Sequence, residues 1–256
     1  MSDFDRNAAA ARGGYADRAV AYDAGLRAHM IRVYNYMASA VALTGIVAFL
    51  TFQMVGGNSI TVSGGQISGL TPLGQFLFGG PFMWVLILSP LALVFALSFG
   101  IQRFSAGTAM LLFYLYAGLL GVSLATLFIT YTANSIANVF FISAAAFGAL
   151  SLYGYTTQRD LSAMGSFLIM GLIGIILASL VNLLLRSDAM SFAISVIGVL
   201  VFAGLTAWDT QKIKEMYDAN DDAQVAGRKA VMGALSLYLD FINLFLMLLR
   251  IFGSRR

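Results

Sequence analysis

Asp240 lies in the run ALSLYLDFINLFLMLLRIF, with at least five uncharged residues on either side. An ionisable group inside such a stretch is costly in hydrocarbon and by default marks a functional site. For a helix beginning at Lys229, Asp240 stands ~16 Å along it at ~1.5 Å per residue, near the middle of a bilayer. Ser236, Asp240 and Asn243 are spaced i, i+4 and i+7, so they form one polar stripe along a single helix face. That stripe must face protein or water, because lipid offers it no partner.

Asp209 ends the preceding apolar run, in FAGLTAWDTQKIKEMY. Taken alone it reads as an interfacial acid balanced by Lys212 at i+3. Hairpin geometry adds a second reading. In two antiparallel helices joined by a turn, residues equidistant from the turn lie at the same height, and the midpoint of 209 and 240 is 224.5, inside the polar loop ANDDAQVAG (219–227). The two carboxyl groups are therefore level, provided the sixth helix continues past Asp209 through KIKEMY. That continuation conflicts with a membrane boundary at Lys212. Snorkelling lysines or a water-filled vestibule would reconcile the two, and the vestibule is the reading preferred at this stage.

Two carboxylates within hydrogen-bond reach do not both ionise readily, so they share a proton. Protonated, the pair ties the sixth and seventh spans together. Deprotonated, it repels, opens, and presents an anionic site for a hard cation such as Ca²⁺, which makes Asp209 and Asp240 the candidate pH sensor, gate and metal ligands. Arg103, in FALSFGIQRFSAG, reads either as a simple charged anchor at the end of the second span or as a counter-ion to Asp209. Other chemistry has little to stand on. The chain has no cysteine, its single histidine, His29, falls in the polar N-terminal segment where a solvated or interfacial position is expected, and no P-loop is present. Neither an enzyme nor a resident cofactor is expected, and the net charge of +3 speaks for membrane topology rather than nucleic acid.

The elements that must hold these residues follow from composition. The chain is 59% hydrophobic and 11% charged, with a mean hydropathy of +0.83, where soluble domains are about 45–50% apolar and about 25% charged. Apolar runs at about 34–55, 82–100, 109–131, 135–155, 165–185, 190–208 and 229–252 give seven spans. Short connections such as TQRDLSAM and RSDA make neighbours antiparallel, so an all-α seven-helix membrane bundle follows. The stretch GGNSITVSGGQISGLTPLG after the first run reads as an extramembrane loop. Gly118, Gly121, Gly171 and Gly174 read as packing seams between helices.

Residues 1–31 form a polar tail carrying Arg6, Arg12, Arg18 and Arg27, with no apolar h-region or cleavage pattern, so the tail is expected to remain on the mature protein and the membrane domain to occupy 32–256. Basic residues in short loops place the N-terminus in the cytoplasm: the tail, Arg32, Arg103, Arg159, Lys212, Lys214, Arg228 and Lys229 fall on one side, against Arg186 alone on the other before the last terminus. One feature resists. If the last segment crosses fully, Arg250, Arg255 and Arg256 finish outside.

The stretches FGALSLYGYTTQRDLS, GSFLIMGLIGIILASLVNLLL, FAISVIGVLVFAGLTAWDTQKIK and LYLDFINLFLMLLRIFG resemble the bacterial branch of the Bax inhibitor family, the transmembrane Bax-inhibitor-motif proteins, over roughly 27–253. The resemblance implies seven helices with the last near the centre of the other six. It also implies a pH-sensitive calcium leak in which paired acids of spans six and seven, matching Asp209 and Asp240, act as sensor and gate. An arginine near the end of span two, matching Arg103, would interact with them. Trp208, in AWDTQ, stands where the family often has tyrosine. The leading expectation is a cation leak channel or transporter in a bacterial inner membrane, with calcium ions or protons as its partners besides lipid. The alternative is a regulatory protein that engages a membrane protease or stress-response complex through its tail.

Overall fold

The computed structural model describes the backbone of residues 3–63 and 66–256, and the side chains of 23–61 and 68–256. Most of the expected polar tail, residues 1–22, therefore lies outside the described side chains. The helices are α1 (Asp3–Met54), α2 (Pro72–Phe78), α3 (Phe82–Gly100), α4 (Ala106–Thr130), α5 (Ala133–Thr156), α6 (Ser162–Leu185), α7 (Asp188–Glu215) and α8 (Ala223–Phe252). Seven of them, counting α1 from Asp23 and leaving out α2, are long and apolar enough to cross a membrane. At 24 residues, a helix such as α5 reaches ~36 Å, enough for a hydrocarbon core of ~30 Å.

Local chemistry starts these helices where the chain turns. Ser105, Thr132, Ser187 and Asp222 each cap a following helix by accepting a backbone N–H three residues on, from Thr108, Ser135, Met190 and Val225. Each cap satisfies one of the donors that a helix start leaves unpaired. The Gly/Ser/Thr-rich stretch after α1 is not an unstructured loop. It holds a short antiparallel hairpin, β1 (Thr61–Ser63) with β2 (Gln66–Ser68), followed by α2, which Thr71 caps and Pro72 opens.

The chain ends sort into two groups. At the basic end, Arg228 donates to the Phe104 carbonyl, the Ala106 N–H donates to Gln224, and Gln211 donates to the Arg159 carbonyl, so the α3–α4, α5–α6 and α7–α8 turns meet there. At the opposite end, the segment after α8 is hydrogen-bonded to the α4–α5 turn through Thr132 N–H to the Ser254 carbonyl (3.1 Å) and Arg256 N–H to the Thr130 carbonyl (3.0 Å). Helix α8 thus runs the length of the bundle and is long and apolar enough to cross a membrane.

It also occupies the middle. In α8, 72% of the most apolar stretch is buried within the protein, against 11–39% in the other six spans. It packs against α1, α4, α5 and α7, while α3 lies outside against α4 and α6 lies outside against α7. Side chains such as Leu184 on α6, 85% exposed, supply the lipid-facing surface. Around α8 the rings interlock edge to face: Tyr238 against Phe113 and Tyr116, Phe241 against Phe140 and Phe147.

Lipid supplies no hydrophobic force between helices, so close approach at small residues decides the seams. A Cβ on Gly154 would stand 2.1 Å from the Ala207 carbonyl oxygen, which means the α5 and α7 backbones touch there. Gly121 meets α1 at the Thr44 carbonyl in the same way, and Gly171 lies against Val201, but Gly118 and Gly174 face open space and belong to no seam. Gly154→Leu is therefore expected to lower the melting temperature in detergent, at a cost of about 1–3 kcal/mol for the forced separation. Gly118→Ala, in a helix interior with room for the methyl group, is expected to leave it unchanged or raise it slightly, and thermal unfolding followed by tryptophan fluorescence reads both.

Candidate functional site

The register of the α7–α8 hairpin is fixed by packing on both sides of the acids. Gly233 of α8 lies against Ile213 of α7, and Gly198 of α7 against Met247 of α8. The pairs are centred on 223 and 222.5 against 224.5 for Asp209 and Asp240, which sets the two acids about one helical turn apart in height. The condition set by the sequence is met, since α7 continues past Asp209 to Glu215. Asp240 is 5% exposed and Asp209 half-buried, and their carboxyl groups lie close enough to act on one another.

A carboxylate carries acceptors only, so a hydrogen bond between two carboxyl groups requires that one of them hold a proton. A hydrogen bond between Asp209 and Asp240 would therefore belong to the singly or doubly protonated pair, and full ionisation would leave two like charges facing each other. The Oδ2 of Asp240 is buried without a hydrogen-bond partner. A buried acceptor left open costs about 1–3 kcal/mol, so this atom is the point of the pair most ready to take a proton, a water or a cation.

Lys212 is the cation acting on Asp209, and its ammonium lies 5.0 Å over the Trp208 ring. Lys214 donates to the Tyr155 carbonyl at 3.1 Å and lies over that ring. Both lysines run along aromatic faces toward the basic end, as snorkelling requires, and a cavity of about 480 Å³ lined by Arg27, Tyr34, Ser151 and Tyr155 opens at the same end. Trp208 is held in turn by Gly165 of α6, where a Cβ would meet the indole at 2.2 Å. Arg103 stands apart: it is exposed in the turn after α3, and it is not among the groups acting on Asp209. Ser236 and Asn243 flank Asp240 on α8, both half-buried, and Asn243 donates back to the Leu239 carbonyl at 2.8 Å. Of the solvated or interfacial position expected for His29, the solvated one does not hold. It is 7% exposed, with its ring 5.8 Å from that of Tyr217.

Two hydroxyl networks beside the acids went unread in the sequence. Thr210, next to Asp209, donates to the Thr206 carbonyl at 2.7 Å. Its oxygen is therefore left to accept from Ser151 (2.9 Å), which in turn accepts from Tyr34. This directed chain joins α1, α5 and α7. On the other side, the Thr44 hydroxyl lies 2.9 Å from both the Ala40 and Ala117 carbonyls, and so accepts from Tyr238 at 2.6 Å, joining α1, α4 and α8. Hydroxyls in apolar runs satisfy themselves on their own helix, which is why spacing alone did not single them out.

Residues 26–256 match the family described as "Inhibitor of apoptosis-promoting Bax1". The chain belongs to this Bax inhibitor family. It is 50% identical over 235 residues to inner membrane protein YbhL of Escherichia coli K12, covering 91% of this chain and 94% of that one. It is 48% identical over 235 residues to RP147 of Rickettsia prowazekii, covering 92% and 93%. A protein of Caulobacter vibrioides is 42% identical over 260 residues, covering both chains in full. The Bax inhibitor match thus includes both aspartates and every transmembrane helix.

Thr210→Val keeps shape but removes the acceptor that Ser151 uses. A loss of about 1–2 kcal/mol is expected from the orphaned hydroxyl, read as a lower midpoint in thermal unfolding. Ser151→Ala combined with Thr210→Val is expected to recover part of it, because donor and acceptor then leave together.

Proposed function

We propose that this member of the Bax inhibitor family is a pH-sensitive cation leak pathway, with Ca²⁺ as its permeant ion and the Asp209–Asp240 pair as its gate. The observation that carries the reading is the neighbouring pair of carboxyl groups on α7 and the central helix α8, with Asp240 buried and its Oδ2 without a hydrogen-bond partner. As pH rises the shared proton leaves, two like charges face each other, and their repulsion favours separating the helices that the protonated pair ties together. A hard divalent cation relieves that repulsion and stabilises the separated state.

Among the described residues no group of three or more His, Cys, Asp or Glu is placed to hold a metal. Ca²⁺ takes 6–8 oxygen ligands, so two carboxylates give it a stopping place rather than a store. Weak occupancy suits an ion that must leave again. Orientation follows from the basic end, where Arg27, Arg32, Arg103, Arg159, Lys212, Lys214, Arg228 and Lys229 gather; by the positive-inside rule that end faces the cytoplasm. The name of the E. coli relative supports a bacterial inner membrane as the location.

In proteoliposomes loaded with a calcium indicator, wild-type flux is expected to be larger at pH 8 than at pH 6. Asp240→Asn still offers a hydrogen-bond donor but removes the like-charge repulsion, so its flux should lose that pH dependence. Identical fluxes at both pH values in wild type and variant would sink the reading.

A further inference from the structure

The end of the bundle opposite the acid pair carries a feature that the gate does not use. Arg250, Arg255 and Arg186 line one cavity of about 740 Å³ between the end of α6, the start of α7 and the end of α8. Arginines at this end run against the charge bias of the rest of the chain. The chain nevertheless builds them in place. The segment carrying Arg255 is pinned by the backbone bonds to the α4–α5 turn and by Ser254 N–H donating to the Ser135 hydroxyl at 2.9 Å.

Arg186 sits at φ 51°, ψ 37°, a left-handed position that glycine occupies at lower cost. Asn182 stabilises the turn around it, accepting from Ser187 N–H at 3.0 Å and donating to Ser191 at 2.7 Å. Only Asp188 brings a negative charge to the lining, and among the described residues none of the three guanidiniums has an ion-pair partner. Three unpaired guanidiniums around one cavity, beside the Ser191 and Ser195 hydroxyls, are a donor set for a tetrahedral oxyanion, which arginine binds through paired N–H groups.

We infer that this cavity binds a phosphate group, either as orthophosphate or as the head of an anionic phospholipid. The site stands independently of the gate. Its rim includes Leu183, 71% exposed, and Phe192, 59% exposed, on the outer surface of the bundle. Acyl chains would lie along them while the headgroup enters between the arginines, and a soluble anion would enter from the aqueous side.

The test uses the full chain in a non-ionic detergent, comparing wild type with the Arg186→Gln/Arg250→Gln double variant, and with Arg103→Gln/Arg228→Gln as an equal charge change at the other end. Thermal unfolding is followed against orthophosphate at constant ionic strength. Native mass spectrometry then reads retention of phosphatidylglycerol over phosphatidylcholine from mixed micelles. Wild type and the basic-end control are expected to bind, and the Arg186/Arg250 variant to bind roughly ten-fold or more weakly, as the loss of charge-assisted hydrogen bonds predicts. Retention of phosphatidylglycerol without a response to orthophosphate assigns the lipid headgroup; the reverse assigns a soluble anion. Equal behaviour of wild type and the Arg186/Arg250 variant in both measurements overturns the site, and an unchanged melting point of that variant in the absence of anion shows that any loss is not misfolding.

Discussion

Inside a bundle wrapped in hydrocarbon, a carboxyl group has to find its partner within the protein, and for Asp240 that partner is Asp209. A hydrogen bond between them can exist only while a proton is shared. Helix α8 can therefore sit at the centre of the other helices only with its acid aligned to α7, and the alignment is enforced above and below by Gly198 against Met247 and Gly233 against Ile213. Burial of Asp240 at 5% exposure makes the pair unusually sensitive to its protonation, because unpaired charge is tolerated least where water is furthest away.

The same rule of internal satisfaction organises the remaining polar groups. The Tyr34–Ser151–Thr210 chain and the Thr44–Tyr238 bond each tie α1 to helices that contact α8. They flank the acid pair with networks that have no charge to lose, so a change in pH acts on the carboxyl contact while leaving these hydroxyl bonds in place. The bundle thus combines one joint that responds to protons with others that do not. At its far end, the arginine-lined cavity uses the opposite strategy, leaving charges unpaired at a wet rim where an anion can reach them.

Much of this was legible in the residues. The seven spans were readable because a hydrocarbon core sets the length of an apolar run, and the nearness of Asp209 and Asp240 because a hairpin has a simple symmetry about its turn. The structured hairpin and α2 after α1 were not, since glycine-rich sequence signals a break in helix without saying what replaces it. The solvated reading of His29 failed for a related reason: a polar neighbourhood in sequence became a buried one when α1 began eleven residues before Tyr34 as a span, at Asp23, and met Tyr217 of a distant turn. Arg103 lies exposed in the turn after α3, as the charged-anchor reading of the sequence expects.

The sequence by itself determined that this is an all-α membrane protein and that Asp209 and Asp240 lie near each other on the last hairpin, because hydropathy and turn symmetry are properties of local order along the chain. Only the tertiary structure decided that α8 is enclosed by α1, α4, α5 and α7, which hydroxyls bridge those helices, and that Arg186, Arg250 and Arg255 surround one cavity. Those arrangements depend on where small residues such as Gly154 let two backbones touch, and that is fixed by contacts between residues far apart in the chain.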